Sequence, residues 1–170
     1  MIDWLSSKVA MTLAALFLLA GVVGFFVAQR NRAIQDGLQA IADEAAAYIG
    51  EVSRSAGTLS TSISVGGPAD PRVGAPEGLE LPARAAGQSY LLVLHRSHLI
   101  ADDGGRHAEA GLRVPVHLWR PAGTPYSAEE VAALDARNTG LSIGPGQTVT
   151  LRRQALEVDG TPAFETFAYL

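Results

Sequence analysis

Residues 9–28 form an uninterrupted apolar segment, VAMTLAALFLLAGVVGFFVA, without a single charged side chain. At about 1.5 Å per residue, a helix of this length spans about 30 Å, the thickness of the hydrocarbon core of a bilayer. We therefore predict a transmembrane helix at 9–28 after a short polar N-terminus at 1–8. The segment is longer than the apolar part of a signal peptide, and cleavage after Ala28 would place bulky Phe26 third upstream of the cut. An uncleaved membrane anchor is the expected outcome.

The following segment, 29–56, keeps a helical pattern and contains no proline. Apolar or small residues recur every three or four positions, which predicts an amphipathic helix continuing the membrane helix. This seam consists of Ile34, Leu38, Ile41, Ala45, Tyr48 and Val52. Two partners fit such a seam: a second copy in a coiled coil, or a sheet of the same chain. We favour the sheet, because Ala45 is a weak core residue for a coiled coil.

Glycine and proline punctuate residues 57–88, which predicts a connecting loop with one candidate strand at 59–65. From residue 89 the pattern favours strands, so 89–170 is expected to form an antiparallel β domain. A short helix at 128–137 interrupts it, opened by the capping-box residues Ser127 and Glu130. The fold class predicted is therefore α+β, with a long N-terminal helix packed on a small C-terminal antiparallel β domain.

Alternation of apolar and polar residues locates the strands of this domain. Turn residues separate several of them, namely 102–105 and the hairpin pair Asp159 and Gly160. A half-buried strand is predicted at 112–118, where Pro115 suits an edge position or a bulge. The other strands are predicted at 89–95, 98–101, 148–153, 154–158 and 164–170.

Composition excludes several kinds of chemistry. The formal net charge is -4 and no basic cluster is present, so no nucleic-acid partner is expected. The chain has no cysteine, which excludes disulfides and thiolate zinc sites. A catalytic serine elbow, a phosphate-binding loop and a zinc-protease motif are also missing from the sequence. We expect a non-enzymatic protein without a cofactor.

Four histidines lie close together in the sequence, and they raise the question of a metal site. His95 and His98 are three positions apart, so on a single strand they would point to opposite faces. Ser97 beside them is the one local candidate for a hydrolase nucleophile. Exposed strand or turn histidines are the favoured interpretation for this pair, and for His107 and His117.

Small residues recur every four positions in the apolar segment, first at Ala10 and Ala14 and then at Ala20, Gly24 and Ala28. Such spacing lets two membrane helices approach closely, so that van der Waals contact holds them together. The partners predicted are therefore the lipid bilayer and other membrane helices or homologous subunits.

The order of these segments resembles that of type IV pilin-like proteins, including archaeal pilins and the pseudopilins of type II secretion. The resemblance covers the leader-like residues 1–8, the apolar half at 9–28 and the packing half at 34–52. It implies a structural or assembly subunit of a pilus-like or secretion apparatus. The processing-site order is reversed at Ser7 and Lys8, and Thr12 and Leu13 stand where that family has a glutamate. An uncleaved relative is therefore expected.

Membrane orientation is predicted from the charges that flank the apolar segment. Lys8 and the N-terminal amine are the positive charges before it, and Arg30 and Arg32 are those after it. Comparing the positive charges on the two sides marginally favours a cytoplasmic C-terminal domain. The resemblance implies the opposite side, and we expect an extracytoplasmic domain on a single-pass protein of the cell membrane. The alternative function is a membrane-anchored extracytoplasmic sensor or ligand-binding module.

Overall fold

The computed structural model describes residues 2–67 and 78–170, with side chains from Ser7 onward. The chain is α+β, with one long N-terminal helix and a C-terminal domain of several strands. Its contacts define two units, Met1–Ile34 and Gln35–Leu170. The elements are α1 (Ile2–Arg54), β1 (Leu59–Val65), β2 (Leu79–Leu81), β3 (Arg84–Ala85), β4 (Gln88–Ser89), β5 (Leu91–Leu94), β6 (His98–Asp102), β7 (His107–Gly111), α2 (Ala128–Arg137), β8 (Leu141–Ile143), β9 (Thr148–Val158) and β10 (Thr161–Tyr169).

Helix α1 begins earlier and ends slightly sooner than the sequence pattern predicts. Residues 2–8, expected as a polar segment before the membrane helix, are already helical. The amphipathic part ends at Arg54 rather than at residue 56. The N–H of Ser55 donates to the carbonyl of Val52 at 3.2 Å, and Gly57 adopts a φ of 79°. Glycine tolerates this left-handed conformation, which turns the chain into β1.

Residues 35–54 of α1 form one wall of the second unit. The phenol of Tyr48 hydrogen-bonds to the hydroxyl of Thr61 on β1. Near the end of the helix, the Ser53 hydroxyl accepts a hydrogen bond from Thr166 Oγ1 at 3.0 Å. Arg153 on β9 donates to the Ser53 carbonyl. The second half of α1 therefore lies on the face of a sheet, as the apolar seam predicts.

The first sheet has the strand order β10-β9-β1-β2. Strand β1 is central, pairing with β9 from Leu59↔Arg153 to Ser64↔Thr148. The candidate strand predicted at 59–65 within the loop 57–88 is present as β1, but the loop prediction is wrong at β2 and β3, which the sequence pattern did not indicate. Pairing of β1 with β2 is parallel, so the domain is not purely antiparallel. The remainder of the predicted loop, 68–77, lies outside the described residues.

The second sheet is fully antiparallel, in the order β7-β6-β5-β8. Buried residues alternate along β6 and β7, so one face of this sheet is packed. The outer edge of β7 is covered by two glutamines of α1. Gln35 Nε2 donates to the His107 carbonyl at 2.9 Å, and Gln39 Nε2 donates to the Glu109 carbonyl at 3.3 Å. The two glutamines are four residues apart on the helix, a rise of about 6 Å, and the two carbonyls are two residues apart on the strand, a rise of about 6.8 Å. Because these spacings are similar, each glutamine reaches one of the two carbonyls.

The half-buried strand predicted at 112–118 is not formed. Instead, an irregular segment makes one parallel bridge, His117↔Phe167, at the outer edge of β10. His117 N–H donates to the Thr166 carbonyl at 2.9 Å, and the Ala168 N–H donates to the His117 carbonyl at 2.8 Å. Pro115 has no N–H for a ladder, which limits pairing to this short bridge.

Helix α2 and the last hairpin follow local signals. Helix α2 has the predicted bounds and the reciprocal capping box between Ser127 and Glu130. Strand β9 is continuous through residues 153 and 154, where two separate strands were predicted. It meets β10 through Asp159 and Gly160, whose φ values are 49° and 76°. Positive φ at both positions is the type I′ geometry that suits a tight hairpin.

Candidate functional site

The apolar segment 9–28 presents a continuous exposed surface. Its large apolar side chains are between 50% and 76% exposed. In the described part of the chain, α1 is the one helix long and apolar enough to cross a membrane, judged by length and composition. An apolar surface of this extent exceeds the patches that soluble monomers leave in water. The side chains concerned are Val9, Met11, Leu13, Leu16, Phe17, Leu18, Leu19, Val22, Val23, Phe25, Phe26 and Val27.

The five small residues predicted to pack membrane helices are all exposed on α1. At 100° per residue they fall within an arc of about 120° of the helix surface. Phe17 lies in the same arc, between the two groups of small residues. A Cβ placed on Gly24 would meet no atom within 4 Å, so this surface has room for a neighbouring helix. The five are Ala10, Ala14, Ala20, Gly24 and Ala28.

The seam predicted to pack on the sheet is buried at five of its six positions. Tyr48 is half-buried and makes the hydrogen bond to Thr61 described above. Ala42 and Ile49, which flank the seam, are also buried, because a helix packed on a sheet buries a wider stripe than a single heptad line. The five buried positions are Ile34, the last residue of the first unit, and Leu38, Ile41, Ala45 and Val52 of the second.

A buried polar cluster joins α2 to the edge of the first sheet. Asp135 Oδ1 accepts hydrogen bonds from His117 Nδ1 at 2.7 Å and from Trp119 Nε1 at 2.9 Å. Asp135 Oδ2 lies 3.1 Å from Arg96 Nη1 in an ion pair. His117 Nε2 lies 3.8 Å from Glu165 Oε2. The imidazole of His117 is therefore held between two carboxylates.

Apolar rings surround this polar cluster. The ring of His117 stacks on Phe167 with centroids 5.2 Å apart, and Trp119 meets Phe167 edge-on at 5.1 Å. Leu156 completes the buried group, and Val131 of α2 packs against it. None of the residues of α2 is fully buried. Asp135 therefore supplies a buried polar attachment of α2, in addition to the apolar contacts of its partly buried side chains.

The chemistry available to this cluster is limited by burial. His117 is only 5% exposed. The side chains that face its two ring nitrogens are the carboxylates of Asp135 and Glu165. Acid–base catalysis would need a reacting group within hydrogen-bond reach of the base. Both ring nitrogens of His117 already face protein carboxylates, so the geometry favours a structural role, in which His117 holds α2 against the first sheet.

The four histidines occupy three separate places. The expectation of an exposed histidine is wrong for His117, which lies in the buried cluster, whereas His107 is exposed and begins the edge strand β7. His95 and His98 stack with ring centroids 4.5 Å apart and planes 18° from parallel. The single-strand rule that would separate these two does not apply, because His95 follows β5 and His98 begins the return strand β6. In residues 2–67 and 78–170, no group of three or more histidine or acidic side chains is placed to hold a metal ion.

The serine considered as a nucleophile adjoins that pair. Ser97 Oγ lies 3.2 Å from His98 Nδ1, in an exposed turn. In the part of the chain that the structure describes, no carboxylate forms a hydrogen bond or an ion pair with His98, so a serine–histidine–carboxylate relay is not assembled there.

Among the described residues of the second unit, three groups have shifted pKa values with local causes. Backbone N–H groups of Gly105 and Arg106 lower the pKa of Asp103 in the predicted turn at 102–105. The capping N–H of Ser127 lowers the pKa of Glu130. Burial, with a smaller contribution from the charge of Glu44, raises the pKa of Tyr90 to about 12. These shifts accompany a turn, a helix cap and a buried phenol, which are structural features.

Comparisons with known proteins return no relative for this chain. No protein-family model, curated protein or solved structure matches it. Within the described residues, the exposed apolar surface of 9–28 is the feature on which a functional proposal can be based.

Proposed function

We propose that this chain is a non-enzymatic, single-pass membrane protein that serves as a structural or assembly subunit of a pilus-like or secretion apparatus. The β domain would lie on the extracytoplasmic side. The exposed apolar surface of residues 9–28 carries the proposal. No other feature of the described residues favours a non-aqueous environment as clearly.

The gain from membrane insertion follows from the exposed side chains. Apolar residues at the centre of a membrane helix contribute about 0.3 to 0.6 kcal/mol each on an insertion scale. The large apolar residues of the segment therefore supply about 4 to 7 kcal/mol together, since twelve of them are exposed. No charged residue of the segment opposes insertion.

The burial pattern of α1 supports contact between subunits inside the membrane. Leu38 and Ile41 on the apolar seam are buried in the β domain, so they are not available for a coiled coil with a second copy. Lipid offers no hydrophobic driving force between helices, and close packing of small residues replaces it. Ala20, Gly24 and Ala28 provide the surface for such packing.

Disulfide crosslinking tests the assembly proposal, because the chain has no native cysteine. Ala20→Cys and Gly24→Cys place single thiols on the small-residue face, and Val22→Cys and Phe26→Cys place them on the opposite face as controls. After oxidation in membranes, we expect dimers at the first pair and monomers at the controls. Monomers at all four positions would refute the assembly of this chain through the membrane segment.

Sidedness and processing need two further measurements. Ala136→Cys, on the exposed surface of α2, should react with a membrane-impermeant maleimide added outside intact cells. Reaction only after lysis would place the domain inside the cell. The intact mass of the extracted protein should equal that of the full sequence, and a mass short by the N-terminal residues would show processing.

A second candidate function is a membrane-anchored binding module, which a groove in the second unit favours. The groove has a volume of about 260 Å³, and its lining includes small residues such as Gly50 and Gly111. Asp43 and Arg113 are among the charged residues that also line it. A Cβ on Gly50 would meet no atom within 4 Å, so Gly50→Leu should fill the groove without disturbing the helix. A small molecule that stabilises the wild type and not this variant would favour the binding module.

A further inference from the structure

The tip of the β5–β6 hairpin brings two imidazoles together. The register of these strands runs from Leu91↔Asp102 to Leu94↔Leu99, so His95 and His98 are the next opposite pair. The N–H of His95 donates to the carbonyl of His98 at 2.9 Å and closes a two-residue turn. Opposite residues of a hairpin project on the same face with their Cβ atoms about 5 Å apart. The two histidines, three positions apart in sequence, are therefore direct neighbours in space.

The tautomer of His95 is fixed by its surroundings. His95 Nδ1 lies 2.8 Å from the carbonyl oxygen of Thr139, which can only accept a hydrogen bond. Nδ1 must carry the proton, so in the neutral ring the lone pair is on Nε2. A Cβ on Gly140 would lie 3.2 Å from His95 Cε1, so the backbone there packs closely against the ring. An Nδ1–H bonded to a backbone carbonyl is the usual support of a metal-binding histidine.

The second ring is less constrained than the first. His98 Nδ1 has the Ser97 hydroxyl at 3.2 Å as its contact, and both rings are partly exposed to solvent. The nearly parallel stack would have to open by a side-chain rotation for both lone pairs to converge on one ion. The guanidinium of Arg96, between the two histidines in sequence, is directed to Asp135 at 3.1 Å.

We infer that His95 and His98 form a two-nitrogen site for a divalent transition-metal ion of the Zn²⁺, Ni²⁺ or Cu²⁺ class. Imidazole nitrogens select these ions over Mg²⁺ and Ca²⁺, which take oxygen ligands. Water completes the coordination, because two protein ligands leave the other positions open. The site is independent of the membrane segment and of the assembly function.

Titration calorimetry with NiCl2 tests the site on the full chain in detergent micelles, without a polyhistidine tag. His95→Gln and His98→Gln each remove one ligand, and His107→Gln is the matched control at a solitary exposed histidine. We expect one ion per chain for the wild type and the control. Each test variant should bind at least about tenfold more weakly, since even losing a ligand's supporting contact costs that much.

Three results would overturn the inference. One is the same affinity in the wild type and in both test variants, which would mean adventitious ion binding only. Another is the absence of binding at millimolar Ni²⁺. The third is a loss of binding in His107→Gln, which would assign the ion elsewhere. Circular dichroism of each variant checks the fold, and Gly140→Val gives a second perturbation, because its side chain displaces the His95 ring without removing a ligand.

Discussion

Replacing Asp135 should lower the free energy of unfolding by more than its position on a short, exposed helix suggests, because its carboxylate connects α2 to the edge of the first sheet. The carboxylate accepts hydrogen bonds from His117 and Trp119 and pairs with Arg96. Asp135→Ala removes the acceptor and leaves two buried donors without a partner. Asp135→Asn keeps one oxygen acceptor and removes the charge, so the pair of variants separates hydrogen bonding from charge.

The magnitude follows from the partners that lose their acceptor. A buried donor left unsatisfied costs about 1 to 3 kcal/mol, and both His117 and Trp119 are affected. Arg96 is half exposed, with a side chain 52% accessible, so its ion pair adds about 1 kcal/mol at most. We expect Asp135→Ala to lower the free energy of unfolding by about 3 to 5 kcal/mol, and Asp135→Asn by about half of that.

Equilibrium denaturation of the full chain in detergent measures these values. Trp4 and Trp119 are the only tryptophans, so a Trp4→Phe background makes fluorescence report on Trp119 alone. Ala136→Gln is the control, because it changes an exposed residue of the same helix and should shift stability by about 0.5 kcal/mol or less. A loss below about 1 kcal/mol for Asp135→Ala would refute the role assigned to this carboxylate.

Two further predictions concern the packed half of the domain. Leu38→Ala should cost about 2 to 5 kcal/mol in the same assay, because Leu38 is 0% exposed and its truncation would leave a cavity; a cost under 1 kcal/mol would contradict that packing. Tyr90 has its folded pKa raised from 10.0 to about 12, so its neutral form contributes stability below pH 10 that is lost as the pH rises towards 12. Two pKa units correspond to about 2.7 kcal/mol. Tyr90→Phe should reduce the loss of stability between pH 10 and 12. An equal loss of stability in the wild type and the variant would contradict the role of Tyr90.

Local signals in the sequence predicted the parts of the fold that depend on neighbouring residues. The capping box at Ser127 and Glu130 located α2, because a cap needs only residues three positions apart. Asp159 and Gly160 located the last hairpin for the same reason. The helical period of the seam identified the buried face of α1 from Leu38 onward.

Pairings between distant residues were not predictable from such signals. Strand β1 was predicted as a candidate strand, but its internal position in the first sheet comes from pairing with β9 and β2, which lie far from it in sequence. Strand β7 was missed because HAEAG alternates alanine with polar residues and lacks the β-branched or aromatic residues that favour strands. The contact of His117 with Asp135 joins an irregular segment to a helix, which no spacing rule anticipates.

The burial pattern also decides where the folded domain begins. A Cys-free domain of this size is held by packing alone, and residues 35–54 of α1 provide part of that packing. The same residues protect an edge, since Gln35 and Gln39 occupy the outward carbonyls of β7 that would otherwise pair with another strand. Removing them would expose both the apolar core and a free strand edge. The domain therefore begins at Gln35, inside the helix, and not after the helix ends at Arg54.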